Sequence, residues 1–257
     1  VTTLTRAWAY RDLARHLVLR DLRLKYKGST LGFAWSLANP LLMATVYTVA
    51  FKYIVEIRID RFPLFLLSGL LPWTFFAAAL GAATGSIVDN GTLVRKVAFP
   101  RLVLPLAAVA SQFVQSAFMY VLIVPALALV EGVATPALLA IIPLGVLHLA
   151  FTAGLGLLLA GAYVHARDTR HLLDVGLQVW FWLTPIVYSQ ALVPKRLASW
   201  LQWNPMAWFV DAFHRTAVEG RWPDWRTFLV LALAAAVSAA LGITVFSRAE
   251  RRFAELV

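Results

Sequence analysis

Six runs of this chain, residues 29–51, 62–88, 102–130, 132–164, 175–193 and 227–247, contain no Lys, Arg, Asp or Glu. An α-helix rises ~1.5 Å per residue, so a run of about 20 residues crosses ~30 Å of hydrocarbon. A helix packed on a soluble core keeps one polar face, and these runs keep none. Only 14% of the 257 residues are charged and 61% are hydrophobic, against ~25% charged in a soluble domain. That polar surface is too small to cover a water-soluble globule. The expected fold class is an all-α integral membrane protein with six transmembrane helices, read as one domain over residues 1–257.

The net charge of +10 is unevenly distributed. Six crossings put both termini on one side, and that side carries fifteen Lys and Arg against eight on the other. The positive-inside rule then places both termini in the cytoplasm. The basic residues flank the spans, where anionic headgroups meet them, so nucleic acid is not an expected partner. The first apolar run follows a basic segment without a small-residue cleavage site, so no signal peptide is expected. Cysteine is absent, which excludes disulfides and thiolate metal sites.

Residues 5–27 read as a basic amphipathic helix. Tyr10, Leu13, Ala14, Leu17, Val18 and Leu24 share one arc, with Arg11, Arg15, Arg20 and Arg23 among the charges elsewhere; Asp21 and Lys25 interrupt the apolar arc. Such a helix lies in the membrane interface, as an anchor or as a cuff that also meets a partner. Gly28 ends it, and Gly32 permits the turn into the first run. Asn39-Pro40 predicts a kink or local unwinding near residues 38–40. Gly81 and Gly85 form a small-xxx-small pattern for close helix contact.

Between the second and third runs, Asp89 or Asn90 can cap a short helix that Pro100 ends. Thr92, Leu93, Val94, Arg95, Lys96, Val97 and Phe99 fall in it, with Leu93, Val94 and Val97 apart from Arg95 and Lys96. An ordinary basic loop is the simpler reading. The third and fourth runs are expected as a tight pair joined by Glu131 and Gly132. His148, inside the fourth run, is read as packing rather than function. A charged loop over residues 162–174 follows, with His165, Arg167, Asp168, Arg170, His171 and Asp174. Residues 194–226 are rich in Trp around Asn204-Pro205, and the uncharged stretch 197–210 is too short to cross. It reads as two short re-entrant helices at the outer leaflet, an anchor belt or a gate.

No Gly-x-x-x-x-Gly-Lys-Ser/Thr phosphate loop, His-Glu-x-x-His or Gly-x-Ser-x-Gly occurs, and the six runs hold no paired carboxylate. ATP hydrolysis by a phosphate loop is therefore not carried here, and an ion-driven carrier is disfavoured. What remains is an uncharged membrane path decorated with aromatics. Trp35, Trp73, Phe118, Tyr120, Trp180, Trp182, Tyr188, Trp200, Trp203 and Trp208 are candidates for a path or gate. Aromatic faces stack on sugar rings, although most such residues pack helices.

The run Arg20-Asp-Leu-Arg-Leu-Lys-Tyr-Lys-Gly-Ser-Thr-Leu-Gly-Phe-Ala-Trp35 followed by Asn39-Pro40, the segment 90–101 ending Phe-Pro-Arg, Thr184-Pro-Ile-Val-Tyr188 and Asn204-Pro-Met206 together resemble type-2 ABC transporter permeases that export polysaccharides. The resemblance covers nearly the whole chain. It implies a homodimer working with two copies of a separate ABC ATPase, so that ATP and Mg belong to the partner and no cofactor to this chain. It implies a lipid-linked glycan as cargo, such as O-antigen, teichoic acid or cell-wall glycan on a polyprenyl diphosphate. Residues 92–99 would be the coupling helix, with Arg167 and Asp168 as a second contact, 6–27 the interface helix and 197–218 the outer gate. Rival readings are a permease of the same type for a small lipid or drug, and a membrane enzyme built on His165, Asp168 and His171.

Overall fold

A computed structural model describes residues 9–26, 34–56, 59–250 and 253. The expectations for Arg6, Lys27, Gly28, Ser29 and Gly32 lie outside the described residues. Ten α-helices follow one another among the described residues: α1 (Arg11–Tyr26), α2 (Ala34–Tyr47), α3 (Phe62–Gly85), α4 (Gly91–Lys96), α5 (Val103–Val130), α6 (Ile141–His165), α7 (Thr169–Trp182), α8 (Lys195–Leu201), α9 (Pro205–Ala217) and α10 (Trp225–Ala249). No strand occurs among them.

Four helical stretches are long and apolar enough to cross a bilayer: Phe62–Gly85, Val103–Val130, Pro136–His165 and Trp225–Ala249. Helix α3 is the hub of this group. Its apolar window is 78% buried, whereas the windows of the other three are 33% or less. The sequence reason is visible in α3 itself, where Phe, Leu and Ala occupy every face, so that neighbours can pack all round it. Helices α2, α5, α6, α7 and α9 supply those neighbours. On the outside, Val121, Leu122, Leu129, Ile142, Val146, Leu233 and Val237 are exposed apolar residues, as a lipid-facing surface requires.

The remaining two apolar runs depart from the expected regular spans. Helix α2 passes through Pro40 without a break, so the local unwinding expected at residues 38–40 does not occur. Pro40 removes one donor from the ladder without ending the helix. The irregularity comes later, as a π-helical continuation over Thr48–Ile54. Helix α7 begins at Thr169 and ends at Trp182, so the run expected over 175–193 starts earlier and stops short. Residues 183–189 continue without helix, through Pro185. The charged loop expected over 162–174 shrinks to residues 166–168, and Arg170, His171 and Asp174 ride on α7.

The tightest helix crossing is also elsewhere than expected. Gly81 has open space around its Cα, and Gly85 approaches Asp89 and Arg170. The close contact is between α6 and α10, where a β-carbon on Gly154 would strike Ser238 and one on Gly242 would strike Gly154. Ser238 Oγ donates to the Phe151 carbonyl at 2.8 Å across the same crossing. Small residues let these two backbones approach, the purpose such residues serve in membrane helices. Helix α6 therefore leans on α10 more than on α5, its neighbour in sequence.

Candidate functional site

Helices α2, α3, α5 and α7 surround a cleft of about 760 Å³, with Lys25 of α1 at its margin. Trp35, Asn39, Met43 and Tyr47 come from α2, Trp73 and Thr74 from α3, Gln112, Gln115, Ser116 and Met119 from α5, and Gln178, Phe181 and Trp182 from α7. The lining combines indole and phenyl faces with amides and hydroxyls, and among the described residues no carboxylate lines it. Trp73 packs edge-on to Phe181 at 5.6 Å, and Tyr47 stacks on Phe181 at 6.4 Å. These contacts hold the aromatic wall in place while leaving faces open to the cleft.

Only part of the expected aromatic set lines this space. Trp35, Trp73 and Trp182 do. Tyr120 is instead buried, donating to the Ser68 carbonyl at 3.2 Å and packing on Phe213. Phe118 faces away from the cleft and is exposed. Trp180 Nε1 donates to Asn204 Oδ1 at 2.8 Å, and Tyr188 donates to the Trp182 carbonyl. Trp200, within α8, and Trp203, just after it, are exposed, while Trp208 is half-buried and donates to the Gln202 carbonyl. His148 is ringed by Phe75, Phe76 and Phe209, the last at 4.7 Å between ring centres.

The polar cleft residues, Asn39, Thr74, Gln112, Gln115, Ser116 and Gln178, were not among those that sequence reasoning picked out for a path. Lys25 was visible as a charge breaking the apolar arc of α1. Its ammonium turns inward to donate to Gln115 Oε1 at 2.7 Å, and Gln115 is 5% exposed. Partial burial holds the Lys25 ammonium below the usual lysine value. Helix α1 therefore does more than lie flat in an interface. It packs along α5, reaching a residue about 18 Å up that helix from its start.

A second assembly lies at the other end of α1. Leu17, Ile87, Val94, Leu102, Val103, Leu157, Val164, Phe246 and Phe253 form one apolar cluster, which Leu93 and Phe99 flank. Val94 is the buried anchor of α4, and Thr92, Arg95, Lys96 and Val97 point outward. Asn90 precedes α4 without capping it; its side chain donates to the Ser86 carbonyl and accepts from Arg20 at 3.0 Å. Arg20 also pairs with Asp21. Arg101 donates through its backbone N–H to Glu250 Oε1 and through its guanidinium to the Glu250 carbonyl, both at 2.7 Å. Helices α1, α4, α5 and α10 are thus joined at one end of the bundle. Arg11, Arg15 and Arg23 are exposed on α1, as are Arg167 and Asp168 in the short link before α7. Arg167 covers the Tyr163 ring at 5.3 Å. His165 is held by the Gly161 carbonyl and the edge of Phe253. Among the described residues no three His, Asp or Glu side chains come together as a metal site would need.

Comparison with known proteins adds a second kind of observation. Residues 13–217 match the ABC-2 type transporter family. The chain is 33% identical over 257 residues to the O-antigen export system permease protein RfbA of Myxococcus xanthus, covering 97% of each chain. It is 28% identical over 255 residues to the RfbA protein of Klebsiella pneumoniae, covering 96% of this chain and 95% of that one. It is also 22% identical over 241 residues to the polysialic acid transport protein KpsM of Escherichia coli, covering 91% and 92%.

Proposed function

Since the chain belongs to the ABC-2 type transporter family, we propose that it is the membrane subunit of an ATP-driven exporter of lipid-linked polysaccharide. The observation that carries this reading is the near-full-length similarity to O-antigen export permeases, on a chain with a cleft that has aromatic and amide groups in its lining. Aromatic faces take the apolar faces of sugar rings, and amides exchange hydrogen bonds with hydroxyls. A small lipid or drug would not require four amides, Asn39, Gln112, Gln115 and Gln178, in the lining.

In this reading the chain crosses the bacterial inner membrane six times with both termini in the cytoplasm. The two crossings beyond the four long apolar helices are α2 with its π-helical continuation, together ~30 Å long, and α7 with the segment after it. Helices α8 and α9 dip into the outer leaflet and gate the exit. The chain works as a homodimer with two copies of an ABC ATPase, which hold the ATP and Mg. Helices α2 and α7, which line the cleft, also carry exposed Leu42, Val46, Val175 and Val179, and a second copy meeting them would complete the conduit.

Force enters through α4. Its outer face offers Thr92, Arg95, Lys96 and Val97 to the ATPase, and Val94 seats it in the cluster that also holds α1 and α10. Arg167 and Asp168 make the second contact. A push on so short a helix moves α1 through the Arg20–Asn90 hydrogen bond. Opposite-charge replacement of Arg95 and Lys96 should uncouple ATP hydrolysis from export while the dimer still assembles. Wild-type export by that double variant would remove the coupling role. Depletion of the chain should make a lipid-linked glycan accumulate in the cytoplasmic leaflet.

A further inference from the structure

The segment that carries α4 is tied down at its far end by a reciprocal pair of bonds. Arg101 stands just before α5, whose N-cap is Leu102, and Glu250 directly follows α10. The Arg101 backbone N–H donates to Glu250 Oε1, and the Arg101 guanidinium donates to the Glu250 carbonyl, both at 2.7 Å. Helix starts leave N–H groups without partners, and helix ends leave carbonyls without them. The carboxylate therefore lies at the positive end of α5 and the guanidinium at the negative end of α10. Each charge sits on the other residue's backbone, so both charge-assisted bonds hold only in one relative placement of the two helix ends.

This clasp is continuous with the packing on either side. Beyond Glu250, Phe253 is fully buried in the cluster that holds Val94, the anchor of α4. Helix α10 meets α6 backbone to backbone, where Gly242 lies against Gly154 and Ser238 donates to the Phe151 carbonyl. Contacts so close leave no slack to absorb a displacement, so α6 and α10 move as one body. Phe151 stacks on Phe76 at 5.9 Å and meets Phe209 of α9 at 5.5 Å. It lies ~21 Å along α6 from His165, which meets Phe253 at the end of that helix. A connection of backbone and rings thus runs from α4 to α9. Arg101, Glu250, Ser238, Phe151 and Phe209 are all outside the cleft lining.

We propose that Arg101 and Glu250 are positioning residues for transport: their clasp fixes the α4 segment to α10, and the α10–α6 pair carries the movement of α4 to α9. This rests on the exporter reading and deepens it. The outer helix α9 gains a drive separate from the Arg20–Asn90 bond, which reaches only α1.

The test uses the full chain with its ATPase subunit in inverted vesicles from cells that make both, with the cells' own lipid-linked glycan as the probe. Glycan carried into the lumen per ATP hydrolysed is the quantity measured. Glu250→Ala should lower this ratio about threefold or more while ATP hydrolysis continues, as for residues on a coupling path. Glu250→Gln keeps an acceptor for the Arg101 N–H and should stay within about twofold of wild type. An unchanged ratio in Glu250→Ala overturns the proposal, as does an equal loss in Glu250→Gln, because the bond would then not be what acts. Should Glu250→Ala fail to assemble, Glu250→Asp, one methylene too short for the bond, takes its place with the same two outcomes. A covalent tie separates positioning from folding. Arg101→Cys combined with Glu250→Cys should show the lowered ratio, and a short bis-thiosulfonate cross-linker should restore it, with a cysteine-free ATPase as partner. A ratio still low after cross-linking, or export that stops, overturns the proposal. Wild-type vesicles that hydrolyse ATP and take up no glycan remove the exporter reading and the clasp together. Wild-type uptake matched by Glu250→Ala removes the clasp alone.

Discussion

Asn204 shows how much a single side chain can organise. Its Oδ1 accepts from Trp180 Nε1 at 2.8 Å and from the Met206 backbone N–H at 3.0 Å, while Nδ2 donates to the Leu183 carbonyl and Thr184 Oγ1 at 3.1 Å. It caps α9 and at the same time ties the end of α7 to the α8–α9 turn. Asn204→Ala should lower stability by about 2 kcal/mol, from a lost cap plus a stranded indole donor. Asn204→Asp, which keeps the cap and the acceptor, should lose less; the measure is the thermal unfolding midpoint in detergent. Equal midpoints for wild type and the alanine variant would dismiss the tie. In the sequence Asn204-Pro205 marks a break between short helices, but its partners are not legible. Trp180 and Tyr120 read there as path residues because an indole or phenol in an apolar run looks the same whether it lines a cleft or bonds a neighbouring backbone. Only the packing of α3 and α9 decides it.

At the scale of elements, the glycines separate two expectations that the sequence could not. Gly81 and Gly85 have the small-xxx-small spacing, yet Gly81 faces open space, while Gly154 and Gly242 meet backbone to backbone. Gly81→Ala should therefore be neutral or stabilising by up to ~1 kcal/mol through helix propensity. Gly154→Ala should destabilise by about 1–3 kcal/mol, because neither backbone can yield to the added carbon. Comparing the two unfolding midpoints checks both. Spacing alone failed because it names a small surface without naming the helix that comes to it. Charge was equally ambiguous at element ends. Arg170, His171 and Asp174 suggest a loop, but a helix end at headgroup level tolerates charges, so α7 starts at Thr169. The short helix α4 was legible from Asn90 and Pro100, yet its link to α1 was not, since Arg20 and Asn90 are far apart in sequence. Asn90→Ala removes that link. In the reconstituted exporter it should reduce glycan exported per ATP hydrolysed several-fold while leaving ATP hydrolysis itself running. An unchanged ratio would show that α1 is not driven through this bond.

For the whole molecule the decisive question is what closes the open side of the cleft. The membrane class was legible from six charge-free runs, because no other solvent tolerates them. The location of the cleft was not, because it depends on which helices leave the ring around α3 incomplete. Helices α2 and α7 line the cleft and carry exposed Leu42, Val46, Val175 and Val179, while the equally apolar Leu233 and Val237 of α10 lie exposed on a helix that does not line it. Both sets would satisfy lipid, so hydrophobicity cannot tell an interface from a lipid face; only adjacency to the cleft distinguishes them. If two copies build one conduit, residues on α2 and α7 meet the partner and those on α10 meet lipid. The chain has no cysteine of its own, so single replacements report cleanly. Val46→Cys combined with Val179→Cys should give a disulfide-linked dimer on mild oxidation in native membranes, whereas Leu233→Cys should remain monomeric on a non-reducing gel. Dimers from the α10 variant alone would move the conduit to the α10 face of the bundle.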